Sequence, residues 1–282
     1  METTYADILQ DKQLTPDERS RDLAKLREWK ADENERKFCG NAFLYHHQLA
    51  NLLETRVGKH PLLREMMGDP TLKAKLVADV EKRDRTGTTA NRIFECYRVN
   101  KGAVVFFKPS TAKFLYKKFK ATHVLDFTAG WGGRMLGAWA LGIAYTGIDT
   151  NRNLAPAYAN MLTDMGNPEN LRMIWDSCLN VDLSTIDYDF VLTSPPYVNL
   201  ELYEGMTAFE SKEAFYKTFL MPMIDRCRTH VKRDGKVAIN ISPPMYRDLL
   251  AFGYPPCVEE YDLLQQKRKG VDKQDKIYIW TK

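Results

Sequence analysis

His123-Val124-Leu125-Asp126-Phe127-Thr128-Ala129-Gly130-Trp131-Gly132-Gly133-Arg134 runs from an apolar stretch, through a turn with three glycines, into an amphipathic segment. An apolar run closed by an acid reads as a buried strand. Three glycines in four residues let the backbone turn tightly and let a ligand approach it closely. A strand feeding a helix this directly is the unit of an α/β fold, and the texture repeats outward. Before it stand an apolar run, Ala103 to Phe107, and a helical pattern from Ser110 to about Phe119. After it come a helix from Arg134 to Leu141, a strand from Ala144 to Ile148, a helix near Leu154 to Met165 and a strand from Leu171 to Trp175. A strand from Phe190 to Thr193, a helix from Ser211 to about His230 and a strand from Lys236 to Ile241 follow. The alternation predicts a doubly wound, mostly parallel sheet with helices on both faces. Val258 to Gln265 and Ile277 to Thr281 flank a polar loop with no helix between them, which predicts an antiparallel hairpin at the sheet's edge.

Residues 1–100 read as a helical region and 101–282 as the α/β domain. Thr15-Pro16-Asp17-Glu18 is a capping box with proline at the first helical position, followed by amphipathic Leu23, Leu26 and Trp29. Two more helices are expected from Asn41 to about Arg56 and from Asp69-Pro70 to about Arg83.

With 282 residues, 44% of them hydrophobic and 11% aromatic, the chain can bury a full core. No apolar run is long enough to span a bilayer, and the opening residues lack the pattern of a signal peptide, so an intracellular, soluble protein without membrane association is expected, cytoplasmic in a bacterial or phage setting. Five cysteines with no C-x-x-C pair argue against a disulfide framework and against a zinc site; reduced thiols and no metal are expected. The net charge of +4 is unevenly spread. Lys82 to Lys120 carries eleven basic side chains against two acidic ones, a stretch that could face phosphates, with Arg83, Arg85, Arg92 and Lys101 as candidate contacts. A solvated surface is the plainer account of such a run.

In a doubly wound sheet ligands sit at the carboxyl ends of the strands. Asp126 and the glycine turn close the first core strand, and Asp149 closes the second, 16 residues beyond Gly133, where an acid can accept both hydroxyls of a ribose. Asp176 follows the third strand. Ser194-Pro195-Pro196-Tyr197 follows the fourth. Two consecutive prolines fix their own φ and donate nothing, so this turn is stiff and aims its flanking side chains at one place. A hydroxyl and carbonyls that accept hydrogen bonds, beside an aromatic face, suit a flat base with an exocyclic amine. Taken singly, each acid is equally a helix cap and the proline pair an ordinary loop.

Together these strand ends resemble the S-adenosylmethionine-dependent amino-methyltransferases of nucleic acids, over about residues 100 to 282. The resemblance implies a Rossmann-like, seven-stranded form of the sheet. It assigns Phe107, Pro109 and the following Ser-Thr-Ala to the segment that closes over the cofactor's methionine, and Asp126, Thr128, Gly130 and Gly132 to the D-x-x-x-G-x-G loop. Asp149 becomes the ribose acid, Asp176 the adenine-side acid, and Ser194 to Tyr197 the catalytic tetrapeptide. Phe127 and Thr128 stand where the family often has Pro and Phe. The implied cofactor is S-adenosyl-L-methionine and the implied reaction in-line methyl transfer to a flipped-out or single-stranded base. A Ser at the head of the tetrapeptide points to cytosine N4 in DNA. Adenine N6, an RNA base and a non-catalytic nucleic-acid-binding subunit are the alternatives. The expected partners are nucleic acid, DNA before RNA, and a restriction endonuclease or another protein. Because the glycine loop and the tetrapeptide are only about 60 residues apart, no recognition domain fits between them.

Overall fold

A computed structural model describes residues 3–32, 37–56, 58–83, 86–101, 105–197, 208–262 and 275–282. The seven strands are β1 (His123–Asp126), β2 (Ala144–Asp149), β3 (Leu171–Trp175), β4 (Phe190–Thr193), β5 (Lys236–Ile241), β6 (Glu259–Asp262) and β7 (Lys276–Thr281). Their period-2 alternation decides both faces of the sheet. Val124, Phe190, Leu192, Ala238, Ile277 and Ile279 enter one core, while Leu125, Val191, Val237, Ile239, Tyr278 and Trp280 enter the other. The fold is α/β and Rossmann-like, with strand order β3-β2-β1-β4-β5-β7-β6. The first five strands pair in parallel; β7 lies antiparallel on β5, and β6 antiparallel on β7, the expected edge hairpin.

On the first face α7 (Pro109–Lys118) packs on α8 (Gly133–Trp139), with α9 (Ala155–Asp164) beside them. The α7–α8 contact is close because Gly137 has no side chain: a Cβ there would stand 2.6 Å from Ala112 Cβ and 2.9 Å from Lys113 N. On the second face lie α10 (Lys212–Ala214), a π-helical turn (Phe215–Leu220) and α11 (Met221–His230), which together form the helix expected from Ser211 to His230.

The N-terminal region holds α1 (Tyr5–Gln10), α2 (Pro16–Glu28), α3 (Asn41–Leu53), α4 (Leu63–Gly68), α5 (Pro70–Glu81) and α6 (Thr89–Lys101). The capping box at Thr15 and Glu18 forms as the sequence predicts. Leu23, Leu26, Phe43 and Leu44 of α2 and α3 share the core of the sheet's first face. Leu49 and Leu53, on the other side of α3, join Ile8, Leu63, Leu76, Val80 and Phe94 in a separate cluster. Buried Lys113 of α7 fastens the two parts: its ammonium donates to the carbonyls of Leu26 (2.7 Å), Arg27 (2.8 Å) and Trp29 (2.6 Å), closing the carboxyl end of α2.

One expectation needs correction, a second lies partly outside the described residues, and one helix went unread. Of the apolar run Ala103 to Phe107, the described residues from Val105 onward pair with no strand. The strand expected from Val258 to Gln265 is β6, Glu259–Asp262, with residues 263–265 outside the described ones. A helix absent from the sequence reading, α12 (Pro243–Ala251), follows β5. It opens on a second Ser-Pro-Pro, Ser242-Pro243-Pro244, where Ser242 is the N-cap and accepts from Met245 N–H. Prolines at the first helical positions lose nothing there, since those N–H groups have no partner within the helix.

Candidate active site

All five parallel strands end at one edge of the sheet, and the strand order reverses direction between β1 and β4. Such a switch point opens a crevice, and the glycine turn after β1 and the proline turn after β4 flank it. Because β7 runs antiparallel to β5, with Lys276 opposite Ile241, the residue that precedes β7, Asp275, arrives at this same edge.

Asp126 is fully buried beneath the crevice. Its carboxylate accepts from Arg134 Nε (2.6 Å), Tyr145 Oη (2.7 Å) and Thr193 Oγ1 (2.9 Å). Arg134 also donates to the Thr128 carbonyl. These contacts occupy Asp126 inside the protein, so it supports the glycine loop from below instead of offering an open ligand. Thr128 Oγ1 lies 2.5 Å from Thr193 Oγ1 and 3.1 Å from the Ser194 carbonyl oxygen. Since the Thr193 proton goes to Asp126, the single Thr128 hydroxyl proton is shared between the Thr193 oxygen and the Ser194 carbonyl. The glycine turn and the proline turn are thereby joined across the switch point.

The glycine loop is held rigidly. Tyr158 Oη donates to the Gly130 carbonyl (2.9 Å), and Gly130 N–H donates to Asp149 Oδ2 (2.7 Å). Gly132 has φ +85°, and a Cβ there would meet Met161 Cε at 2.7 Å. At Gly130, φ +58°, an added Cβ would make an ordinary contact with the Thr128 carbonyl oxygen at 3.9 Å, so it is the left-handed backbone that favours glycine there. Asp149 Oδ1 accepts from Asn151 N–H (2.9 Å). Burial pushes the Asp149 carboxyl above its ordinary range, opposed by these two N–H groups. With two backbone donors on four lone-pair sites, the carboxylate keeps accepting capacity for a diol. Beside it the Trp175 ring stands edge-on to Tyr158, with centroids 5.4 Å apart.

The other expected cofactor residues separate into two groups. Phe107 lies against the loop: its carbonyl fills the place of a Gly133 Cβ, and its ring is 5.5 Å from the Arg134 guanidinium carbon. Pro109 is buried between Gly40 and Gly137 as the first residue of α7, a packing position. Asp176, one residue beyond Trp175, is exposed and accepts from Ser177 N–H (2.6 Å) and Asn180 Nδ2 (3.0 Å), closing its own turn.

In the tetrapeptide, Pro195 is buried and Ser194, Pro196 and Tyr197 are half-buried. Among the described residues no group hydrogen-bonds the Ser194 hydroxyl. Tyr197 Oη donates to Asp275 Oδ2 at 2.6 Å, so the ring is tied at its far end. The sequence reading missed Arg134, Tyr145, Tyr158 and Asp275. Only Asp275 carried a signal, as an acid directly before a strand that runs against its neighbours.

Within the basic run Lys113 is buried, Arg83, Arg92, Arg98 and Lys108 are half-buried, and Lys82, Lys117, Lys118 and Lys120 are exposed. Arg92 donates to the Val80 carbonyl (3.4 Å), and among the described residues its buried Nε has no partner; Arg98 pairs with Glu95 at 2.7 Å. Lys113 caps α2, and Lys117 reaches the Lys30 carbonyl. Arg83 is half-buried just beyond α5, Lys101 ends α6, and Arg85 lies outside the described residues.

His46, His47 and Asp164 also converge. Arg19 Nε is 2.7 Å from Asp164 Oδ2, and its Nη1 is 3.3 Å from His46 Nε2, while Leu14 N–H donates to His46 Nδ1 (3.0 Å). A guanidinium already fills the space a cation would need, so this group is a staple between α2, α3 and α9. All five cysteines are free thiols, three of them buried. No helix among the described residues is long and apolar enough to cross a membrane.

By sequence, no protein-family model and no curated protein matches the chain. Among solved structures it is similar to an rRNA methylase from Streptococcus thermophilus, at 15% identity and TM-score 0.42, over 63% of this chain and 97% of that one. An RNA methyltransferase from Salinibacter ruber in complex with S-adenosyl-L-homocysteine gives 15% identity and TM-score 0.42, over 63% and 93%. The tRNA (m1A58) methyltransferase TrmI from Aquifex aeolicus gives 9% identity and TM-score 0.44, over 62% and 69%.

Proposed function

We propose that this chain binds S-adenosyl-L-methionine and transfers its methyl group to an exocyclic amine of a nucleic-acid base, N4 of cytosine in DNA. One observation carries the reading: the Thr193–Thr128–Ser194 hydrogen bonds join the glycine turn to the Ser-Pro-Pro-Tyr turn at the switch point of the sheet. A shared framework of this kind sets a donor site and an acceptor site at a fixed separation, and holding two reactants in line is the larger part of what a transfer reaction needs.

The glycine turn lets a ligand approach its backbone closely, and the Asp149 carboxylate would accept from the two ribose hydroxyls. Trp175 borders the same ground and offers an aromatic edge or face to a purine. When bound, S-adenosylmethionine supplies an electrophilic methyl on a sulfonium sulfur. The amine of a base is a weak nucleophile because its lone pair is delocalised into the ring. Ser194 and the carbonyls of the turn accept from the amine N–H groups, which turns the lone pair out of conjugation and towards the methyl carbon. The nitrogen pair forms the new N–C bond, the sulfur keeps the pair of the broken C–S bond, and the amine proton leaves to water. Tyr197 stacks on the base with about 1–3 kcal/mol, which offsets much of the few kcal/mol, on that order, needed to unstack it from a duplex.

The test is transfer of a tritiated methyl from S-adenosylmethionine to single-stranded DNA, duplex DNA and RNA, followed by nucleoside analysis. Labelled 4-methylcytosine from DNA is expected. Labelled 6-methyladenine would replace the base, label in RNA alone would replace the polymer, and no label in any of the three would overturn the catalytic reading.

A further inference from the structure

We infer that Asp275 is a positioning residue, the group that fixes the Tyr197 ring as the wall against which the target base stacks. The inference rests on the methyl-transfer reading above and names a part of the acceptor site that lies far along the chain from the tetrapeptide.

Backbone order alone does not orient Tyr197. The β4 ladder stops at Thr193, and Pro195 and Pro196 have no N–H with which to extend it. A tyrosine has two side-chain torsions, so a stiff turn delivers its Cα while leaving the ring plane to be set by what the side chain touches. Its hydroxyl donates to Asp275 Oδ2 at 2.6 Å, across 78 residues of sequence. An O–H to carboxylate bond of that length belongs to the short, charge-assisted kind. It pins the ring at the end opposite its Cβ, so that both ends are fixed.

The placement follows from topology. In a wholly parallel sheet every strand would begin at the opposite edge. The reversal of β7 brings its amino end, and Asp275 with it, to the edge where the parallel strands finish. A carboxylate half-buried at this place is expensive to desolvate. Burial pushes its pKa up, and the Tyr197 hydroxyl opposes that shift. Packing a ring against the neighbouring apolar cluster needs no such group, since phenylalanine would pack as well. An acid that meets the phenol adds direction to the packing, which a stacking surface requires.

Steady-state methyl transfer to a cytosine-containing single-stranded oligodeoxynucleotide tests this, together with quenching of a fluorescent cytosine analogue in the same oligonucleotide, which reads stacking without turnover. Asp275→Ala is expected to raise KM for the oligonucleotide about tenfold and to lose most of the quench, with kcat and S-adenosylhomocysteine affinity largely kept. Asp275→Asn keeps an acceptor oxygen and should restore both. Tyr197→Phe should raise KM similarly, and the double variant Tyr197→Phe/Asp275→Ala should be no worse than either single one. Unchanged KM and quench in Asp275→Ala, while Ser194→Ala is inactive, would overturn this inference and leave the catalytic reading standing. Full turnover in Ser194→Ala would instead bring down the catalytic reading. Loss of S-adenosylhomocysteine binding in both Asp275 variants would make the contact structural and also overturn the inference.

Discussion

Asp126 and Asp149 stand at the ends of neighbouring strands, yet their surroundings give them opposite tasks. Asp126 is fully buried and answers a guanidinium that is 5% exposed, a phenol and a hydroxyl. Asp149 is half-buried and answers two backbone N–H groups. Removing one partner of a buried ion pair leaves the other charged and dry, which costs about 3–5 kcal/mol. Asp126→Ala is therefore expected to lose stability on that scale in urea denaturation, and with it every function of the edge. Asp149→Ala leaves no buried charge unpaired, so it should unfold near the wild-type midpoint and fail to bind S-adenosylhomocysteine in calorimetry. Wild-type stability in Asp126→Ala, with only cofactor binding lost, would reverse these assignments.

At the scale of elements, the contact between α7 and α8 decides how Phe107 reaches the glycine loop. Ala112 Cβ, Lys113 N and the Pro109 carbonyl surround the place of a Gly137 Cβ, the last at 3.0 Å. Gly137→Ala must push the helices apart, with overpacking of roughly 1–3 kcal/mol. A lowered melting temperature with weakened S-adenosylhomocysteine binding is expected, because α7 carries the Phe107 segment with it; an unchanged melting temperature would show that the helices part freely. What could be read of these elements in the sequence was local. The strand, glycine turn and helix from His123 to Arg134 announce themselves through a period of two and a turn that only glycine makes easily, and the hairpin of β6 and β7 through the missing helix between them. What could not be read depended on partners far away. Lys113 looks like part of a basic surface until α2 brings three carbonyls to it. Asp275 had a signal as the acid before the hairpin's last strand, but its meeting with Tyr197 across 78 residues had none. Ser194-Pro-Pro and Ser242-Pro-Pro are the same tripeptide, yet one leaves β4 without regular structure while the other caps α12 and runs on through Met245 to Leu250 as a helix.

For the whole molecule, the histidines make the union of the N-terminal helices with the sheet sensitive to acid. His47 of α3 is 3.0 Å from Asp164 of α9, with Arg19 of α2 on the same carboxylate oxygen and His46 alongside. Burial and the adjacent His46 hold His47 down to about 4, against the pull of Asp164. Burial also lowers His46, and lowers His123 at the start of β1. In the unfolded chain an imidazole takes its proton near pH 6.5. Between about 6.5 and about 4 the unfolded state therefore binds more protons than the folded one. The stability tied to neutral His47 is complete above that window and drains away as pH falls through it. Asp149 and Asp275, whose carboxyls burial pushes up, work in the other direction and take up protons in the fold before they would in the open chain. The contribution of the staple is separated from theirs by comparing wild type with His47→Gln, which cannot titrate. Thermal melts at pH 7.0 and 5.0 should show wild type losing more of its melting temperature than the variant does. An equal loss in both would place the acid sensitivity elsewhere and leave His47 as packing alone.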